Sequence, residues 1–192
     1  MPLHAPPAPA PALRGVLAAL GSPSAVREAR IPALRSPQSP PTAELPLPVH
    51  VIDRPPAEGP LAPRLAAWRF VIRSAGRPVA AADAVPTPDG WVFSHFFEGP
   101  YAAATERALA QAETLAAPYQ PRLLSVTGLY MLTLWLHGDP SADPEAGEPA
   151  PDDLLVPLAP APPGIAAHRP HRAAELLPTL TDRLAAAALL TA

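Results

Sequence analysis

The chain of 192 residues contains no cysteine, and this absence excludes disulfide scaffolds, cysteine-ligated zinc sites, thiol nucleophiles and thiol redox centres. It also contains neither lysine nor asparagine, so all 14 basic residues are arginine. Without a lysine amine the protein cannot form a Schiff base, attach pyridoxal phosphate or use a P-loop lysine. Lysine and asparagine both have AT-rich codons, and their absence indicates a GC-rich bacterial genome.

Excess charge of one sign and long apolar runs are also missing. The formal net charge is −3 and the isoelectric point is about 6.0, which predicts no basic face for nucleic acid. No apolar run reaches the ~20 residues of a membrane span, and residues 1–20 do not follow the pattern of a secretory signal. We therefore expect a cytoplasmic protein that binds neither membranes nor nucleic acid.

Proline, in contrast, is abundant, with 32 residues in the chain. The run Ala5–Pro11 favours an open polyproline II conformation, and residues 1–46 are predicted to form a disordered arm rich in proline and alanine. Residues 47–192 are predicted to form a single domain. Within this domain, residues 138–151 combine carboxylates with proline, which predicts a flexible acidic loop.

Short apolar segments predict the strands of this domain. The clearest is 65–73, where Trp68, Phe70 and Ile72 recur at every second position and indicate one buried face. A loop rich in proline and glycine, residues 54–63, is predicted before it. The other predicted strands are 47–53, 78–85, 91–97 and 154–156.

The first strong helix signal begins at Pro100, because proline fits the first helical turn, and it ends before Pro118. In the apolar segment 122–137, Gly128 indicates a bend or a break between two strands. Residues 129–136 are apolar at both alternating sets of positions, which predicts a central strand, with a buried helix as the alternative. A last helix is predicted over residues 171–190.

The predicted order of elements is β-βββ-α-ββ-α. This order favours an α+β fold with two layers, in which an antiparallel sheet of about five or six strands has its helices packed on one face.

The first candidate site lies where an aromatic strand runs into the Pro100 helix. His95 is a candidate general base, with Glu98 to orient it, and Tyr101 is a candidate ligand-binding residue near the helix N-terminus. The alternative is a purely structural role. Because residues three apart on a strand point to opposite faces, His95 and Glu98 would not meet, and Glu98 would only interact favourably with the helix dipole.

The second candidate site is His137 with Asp139, at the end of the apolar segment, where a strand enters a loop. These side chains are weak catalytic candidates, and with His95 they have the chemistry to bind a divalent metal. The alternative is an ordinary polar strand end. Because no spacing in the chain supports a metal motif, we predict no metal site and no cofactor.

A basic cluster before the last helix supplies two weak ligand-binding candidates, Arg169 and Arg172, which have the chemistry to contact a phosphate or a carboxylate. A solvated helix entrance is the alternative. The sequence contains no G-x-S-x-G, G-x-x-x-x-G-K-[ST], G-x-G-x-x-G or H-E-x-x-H motif.

These observations favour a non-enzymatic protein-binding or assembly module that contacts its partner through a sheet edge or the arm. The alternative is a small enzyme or a small-molecule-binding protein with a pocket near His95, Glu98, His137 and Asp139. The second hypothesis requires the imidazoles of His95 and His137 to lie within about 5 Å of each other in one cleft.

Overall fold

A computed structural model describes residues 3–53 and 62–189 of the protein. These residues form one mostly antiparallel sheet of eight strands and five helices, so the fold is α+β. The helices are α1 (Ala10–Leu20), α2 (Pro23–Ala29), α3 (Pro32–Arg35), α4 (Pro100–Ala112) and α5 (Ala173–Leu189). The strands are β1 (Thr42–Ile52), β2 (Arg64–Ser74), β3 (Arg77–Thr87), β4 (Gly90–Phe97), β5 (Gln120–Val126), β6 (Met131–His137), β7 (Leu154–Pro157) and β8 (His171–Arg172).

The order of strands across the sheet is β4-β3-β2-β1-β5-β6-β7-β8. All neighbours are antiparallel except β1 and β5, which pair in parallel. This parallel pair arises because α4 carries the chain from the β4 edge back across the sheet before β5 begins. The sheet therefore joins a four-stranded meander to a second antiparallel unit.

Helices cover both faces of this sheet. The face covered by α4, called here the front face, buries Leu47, Leu123 and Leu134 against Ala108 and Leu109 of that helix. The opposite face, called here the back face, carries α1–α3 over β2–β4 and α5 over β5–β7. The prediction that all helices pack on one face is wrong, because both sides of β5 and β6 are apolar and each side needs a cover.

The N-terminal segment departs most from the sequence-based prediction. Where a disordered arm was predicted over residues 1–46, the described residues form α1–α3 and the first part of β1. Ala12, Val16 and Ala19 of α1 are buried with Ile31 and Leu34. These five residues pack on Trp68, Phe70 and Ile72, the three-residue stripe that the alternation in β2 correctly placed on one face. The stripe requires this cover, since each such side chain is worth about 1.5–3 kcal/mol when fully buried.

The C-terminal half agrees better with the prediction. Of the predicted strand 129–136, residues 131–136 lie in β6, and none of this range is α-helical. A short 3₁₀ turn at Thr127–Leu129 separates β5 from β6 at Gly128. A Cβ atom at Gly128 would lie 2.7 Å from Leu184 Cδ2, so α5 packs directly on this turn. The sheet has eight strands rather than five or six. One additional strand arises because the turn at Gly128 divides the apolar segment, and another is β8, which has only two residues and was therefore not predicted.

Other predictions fall at the limits of the described chain. Most of the predicted loop 54–63 and the predicted last helical residue, Leu190, lie outside the described residues. The final helix continues through Pro178 and is preceded by β8. Within residues 3–53 and 62–189, no helix has both the length and the apolar character needed to cross a membrane.

Burial of α1 predicts that the N-terminal segment stabilises the whole domain. Val16→Ala removes two buried methyl groups from a side chain with 0% exposure, and we expect it to lower the free energy of unfolding by about 1–3 kcal/mol. The matched control is Leu17→Ala in the same helix, because Leu17 is 48% exposed. Urea unfolding of both variants checks this, and equal stabilities for the two variants would mean that α1 does not pack on the sheet.

Candidate functional site

The front face contains an open cleft of about 460 Å³ between the start of α4 and the β5–β6 turn. This volume lies within the usual range of ligand pockets. Its lining is mainly apolar or aromatic, with polar side chains from two strands, Arg69 and Ser125, and from the 3₁₀ turn, Thr127. The lining residues are Arg69, Phe97, Tyr101, Ser125, Thr127, Tyr130, Met131 and Leu132.

The rim of the cleft is formed by Tyr130, at the end of the tight turn between β5 and β6. Its backbone has φ of 51°, in the left-handed region that bulky residues rarely adopt, and the residue is 90% exposed. Tyr101 fixes this position, because its hydroxyl lies 2.9 Å from the Tyr130 carbonyl and 3.1 Å from the Pro160 carbonyl. An exposed aromatic ring on a strained and tethered turn is typical of a binding surface rather than of a core.

The charged group in the cleft is already neutralised. Arg69 donates from Nε and Nη2 to the two carboxylate oxygens of Asp83, both at 2.8 Å. The guanidinium carbon of Arg69 also lies 4.5 Å from the centre of the Phe97 ring. The ion pair forms between neighbouring strands, since β2 and β3 place Arg69 and Asp83 directly opposite each other. The cleft therefore offers an aromatic and weakly polar surface without a free charge.

The cleft contains no group suited to proton transfer at neutral pH. Its eight lining residues include neither a histidine nor a carboxylate. Burial raises the pKa of the Tyr101 phenol, so this hydroxyl stays protonated. The remaining hydroxyls belong to Ser125, Thr127 and Tyr130, and the Thr127 hydroxyl lies 3.3 Å from the Ile52 carbonyl oxygen. The arrangement can bind and orient an apolar group, but it supplies no acid–base pair.

His95 and Glu98 lie away from the second predicted site. His95 is exposed on β4, where its Nδ1 is 3.0 Å from the Ser94 hydroxyl, and Glu98 is exposed before α4. His137 lies on β6, five strands across the sheet, which corresponds to about 24 Å at the usual strand spacing. The structure therefore does not bring His95 and His137 together.

His137 and Asp139 make their hydrogen bonds with other residues and not with each other. His137 Nδ1 lies 2.8 Å from Oδ2 of Asp153, which the sequence did not single out. Asp139 is exposed and accepts hydrogen bonds from the backbone and hydroxyl of Ser141, which lower the pKa of its carboxyl. Among residues 3–53 and 62–189, no three histidine or carboxylate side chains are arranged to hold a metal ion.

Of the three ligand-binding candidates, Tyr101 lines the cleft, as described above. Arg169 is exposed in the connection before β8. Arg172 makes an exposed ion pair with Asp152 at 3.0 Å, which contributes little to stability. The basic cluster is therefore separate from the cleft.

A second polar cluster, on the back face, was missed by the sequence-based prediction. Arg122 on β5 is 0% exposed, and its guanidinium carbon lies 4.7 Å from the centre of the Trp135 ring. It donates to Gln120 Oε1 at 2.7 Å, to the Ala146 carbonyl at 2.7 Å and to the Asp143 carbonyl at 3.0 Å. A buried arginine thus binds the predicted acidic loop through backbone oxygens. Among the described residues, no carboxylate oxygen lies within 4 Å of its guanidinium nitrogens.

Asp153 closes the other end of this cluster. Its carboxylate is 2% exposed and accepts four hydrogen bonds at 2.7–2.9 Å, which satisfies a buried negative charge. The donors are Trp135 Nε1, His137 Nδ1 and the backbone N–H groups of Gly138 and Ala150. One signal in the sequence could have indicated this cluster. Gln120 and Arg122 are polar residues two positions apart in a largely apolar strand, and the chain continues into an acidic loop after the next strand.

Comparison with known proteins gives no relative: no family model, curated protein or solved structure matches this chain. Function must therefore be argued from the geometry of the chain itself.

The tether on the cleft rim makes a testable prediction. Tyr101→Phe removes the hydroxyl that binds the Tyr130 and Pro160 carbonyls, and we expect the free energy of unfolding to fall by about 1 kcal/mol. Tyr119→Phe is the matched control, since the Tyr119 hydroxyl has no hydrogen-bond partner among the residues that the structure describes. Chemical unfolding measures both variants. Equal losses would show that the tether contributes nothing.

Proposed function

We propose that the protein is a non-enzymatic, cytoplasmic protein-binding module, and that its docking surface is the front-face cleft between Tyr101 and Tyr130. The observation that carries this proposal is an open, aromatic cleft with a 90% exposed tyrosine on its rim and no acid–base pair in its lining. Exposed tyrosines beside pockets are common anchors of protein interfaces.

The partner that suits this cleft presents an apolar or aromatic side chain. Such a side chain would pack on Phe97, Met131 and Leu132 and stack against Tyr130. Because Arg69 is already paired with Asp83, the cleft would gain little from a charged anchor. The hydroxyls of Ser125 and Thr127 would then contribute orientation rather than charge recognition.

Two other docking surfaces expected from the sequence are less available. The N-terminal segment is packed on the back face, so it does not extend from the domain as an arm. The β4 edge is approached by α1, where a Cβ atom at Gly15 would lie 3.2 Å from the Phe93 backbone nitrogen. Helices placed against an edge strand protect it from pairing with other chains. These contacts support the cleft rather than the edge as the docking surface.

The proposal predicts the sequence preference of bound peptides. Peptides selected from a random library on the full-length protein should share an aromatic or large aliphatic anchor and should perturb the NMR signals of Tyr130 and Met131. Tyr130→Ala should weaken their binding by at least about tenfold, the usual effect of losing an interface hot spot. Val92→Ala is the matched control, because Val92 is also exposed but lies outside the cleft.

Two outcomes contradict the proposal. One is that the selected peptides bind Tyr130→Ala as tightly as the wild-type protein. The other is that no peptide is enriched while small aromatic compounds shift the same NMR signals, which would favour the small-molecule-binding alternative.

A further inference from the structure

The segment that joins β6 to β7, residues 138–153, is far longer than an ordinary hairpin loop, which has two to five residues. It contains no helix or strand, yet it lies on the back face and is held there by side chains of four strands, β1, β2, β5 and β6. We call this segment the strap. A long connection that the sheet holds so specifically needs an explanation beyond chain reversal.

The contacts between sheet and strap share one chemical direction. The sheet side chains donate, and the strap supplies acceptors, five of which are backbone carbonyl oxygens. The donors are His50, Trp68, Gln120, Arg122, Trp135 and His137. The strap acceptors are the carbonyls of Pro140, Ala142, Asp143, Pro144 and Ala146 and the carboxylates of Glu145 and Asp153. The attachment of the strap to the sheet therefore depends on the protonation state of these donors.

The set contains two histidines: His137 donates to the Asp153 carboxylate, whereas His50 donates to an uncharged backbone carbonyl. His50 is the more buried of the two. It is 1% exposed, and its Nε2 donates to the Pro144 carbonyl at 3.0 Å. Its Nδ1 is buried and has no hydrogen-bond partner among the described residues, so the ring is neutral with Nδ1 unprotonated. A proton on Nδ1 would create a buried, unsatisfied N–H group.

The charges around His50 make a second proton more costly. Arg122, the neighbour on β5, already places a buried positive charge beside the ring, while Trp135 on β6 and Trp68 on β2 are neutral. On the strap, Asp143 is the carboxylate that favours protonation of His50, and Glu145 accepts a hydrogen bond from Trp68. Because the Asp143 carboxylate is exposed, burial and the charge of Arg122 together outweigh the groups that favour protonation of His50.

We propose that the strap is a proton-released cover, which opens when His50 takes up a proton and exposes the cationic and aromatic surface of Arg122, Trp68 and Trp135. Opening brings water to His50 Nδ1 and relieves its repulsion with Arg122. The strap carbonyls that lose their side-chain donors form hydrogen bonds with water, because the strap is exposed to solvent once it leaves the sheet.

The direction of the pH effect follows from linkage. Burial, and then the charge of Arg122, hold the pKa of His50 below its ordinary value of 6.5 while the strap is closed. The open state returns His50 to solvent and therefore binds more protons below pH 6.5. The closed state is thus fully favoured above about pH 6.5 and loses its advantage as the pH falls further, by up to about tenfold in the opening equilibrium at pH 5.5.

Hydrogen exchange of the full chain tests the proposal. Between pH 7.5 and pH 5.5, after correction for intrinsic exchange rates, the amides of residues 138–153 should exchange up to about tenfold faster. The exchange rates of the α1 amides should not change, because the buried cluster that contains α1 does not include His50. Acceleration throughout the chain would show global unfolding and would overturn a local release.

Two substitutions make the test specific to His50. His50→Gln keeps an N–H donor for the Pro144 carbonyl and cannot titrate, so its strap should exchange at the same corrected rate at both pH values. His95→Gln, on an exposed histidine, should behave as the wild-type protein does. If the strap of His50→Gln still opens at pH 5.5, a group other than His50 controls the release and the proposal is wrong.

A fluorescence measurement covers the case in which His50→Gln does not fold. Trp91→Phe leaves only Trp68 and Trp135, whose indole N–H groups bond Glu145 and Asp153 under the strap. Their emission should shift to longer wavelength between pH 7 and pH 5.5 while the far-UV circular dichroism stays constant. An emission maximum that is unchanged over this range would also overturn the proposal.

Discussion

The guanidinium of Arg122 is the constraint on which the back face depends. It is a full positive charge with 0% exposure, and its partners are a side-chain amide, two carbonyl oxygens and the face of a tryptophan. Burial lowers the pKa of this guanidinium, and the carboxylates of Asp153 and Asp143 act against that effect from a distance. Since a buried charge without partners costs several kcal/mol, the strap must lie on the sheet for β5 to be buried.

The two faces of the sheet therefore differ in kind. On the back face, backbone carbonyl oxygens of the strap accept hydrogen bonds from buried side-chain donors of the sheet. On the front face, α4 covers only part of the sheet, and the arginine there is matched by the carboxylate of Asp83. The surface that remains open beside Tyr130 is apolar and uncharged. This contrast supports a role in binding for the front face and a role in regulation for the back face.

Periodicity was the reliable signal in the sequence. Alternation placed Trp68, Phe70 and Ile72 on one buried face, and residues 131–136 of the doubly apolar segment 129–136 lie in β6, an interior strand of the sheet. The N-terminal segment was misjudged because its proline content outweighed the weak helical pattern of Ala12, Val16 and Ala19. Prolines at the start of α1, α2 and α3 do not break these helices, since each lies in a first turn.

The site residues were harder to predict for a physical reason. His95, His137 and Asp139 were selected as polar residues at strand ends, but which of them meet depends on a strand order that periodicity does not encode. The parallel pairing of β1 with β5 places His50 beside Leu124 and close to Arg122, although 72 positions separate the two polar residues in the chain. The cleft likewise depends on Tyr130 adopting a left-handed backbone, for which the sequence Gly128-Leu129-Tyr130 carries no signal.

The most direct test of this account is the effect of Arg122→Met on the strap. Three acceptors lose their donor, so we expect the free energy of unfolding to fall by at least about 3 kcal/mol and the amides of residues 138–153 to lose protection from hydrogen exchange at pH 7.5. Arg172→Met removes an exposed ion pair between β8 and Asp152 of the strap, and because this pair is solvent-exposed we expect neither quantity to change appreciably. If Arg122→Met were as stable and as well protected as Arg172→Met, Arg122 would not hold the strap to the sheet.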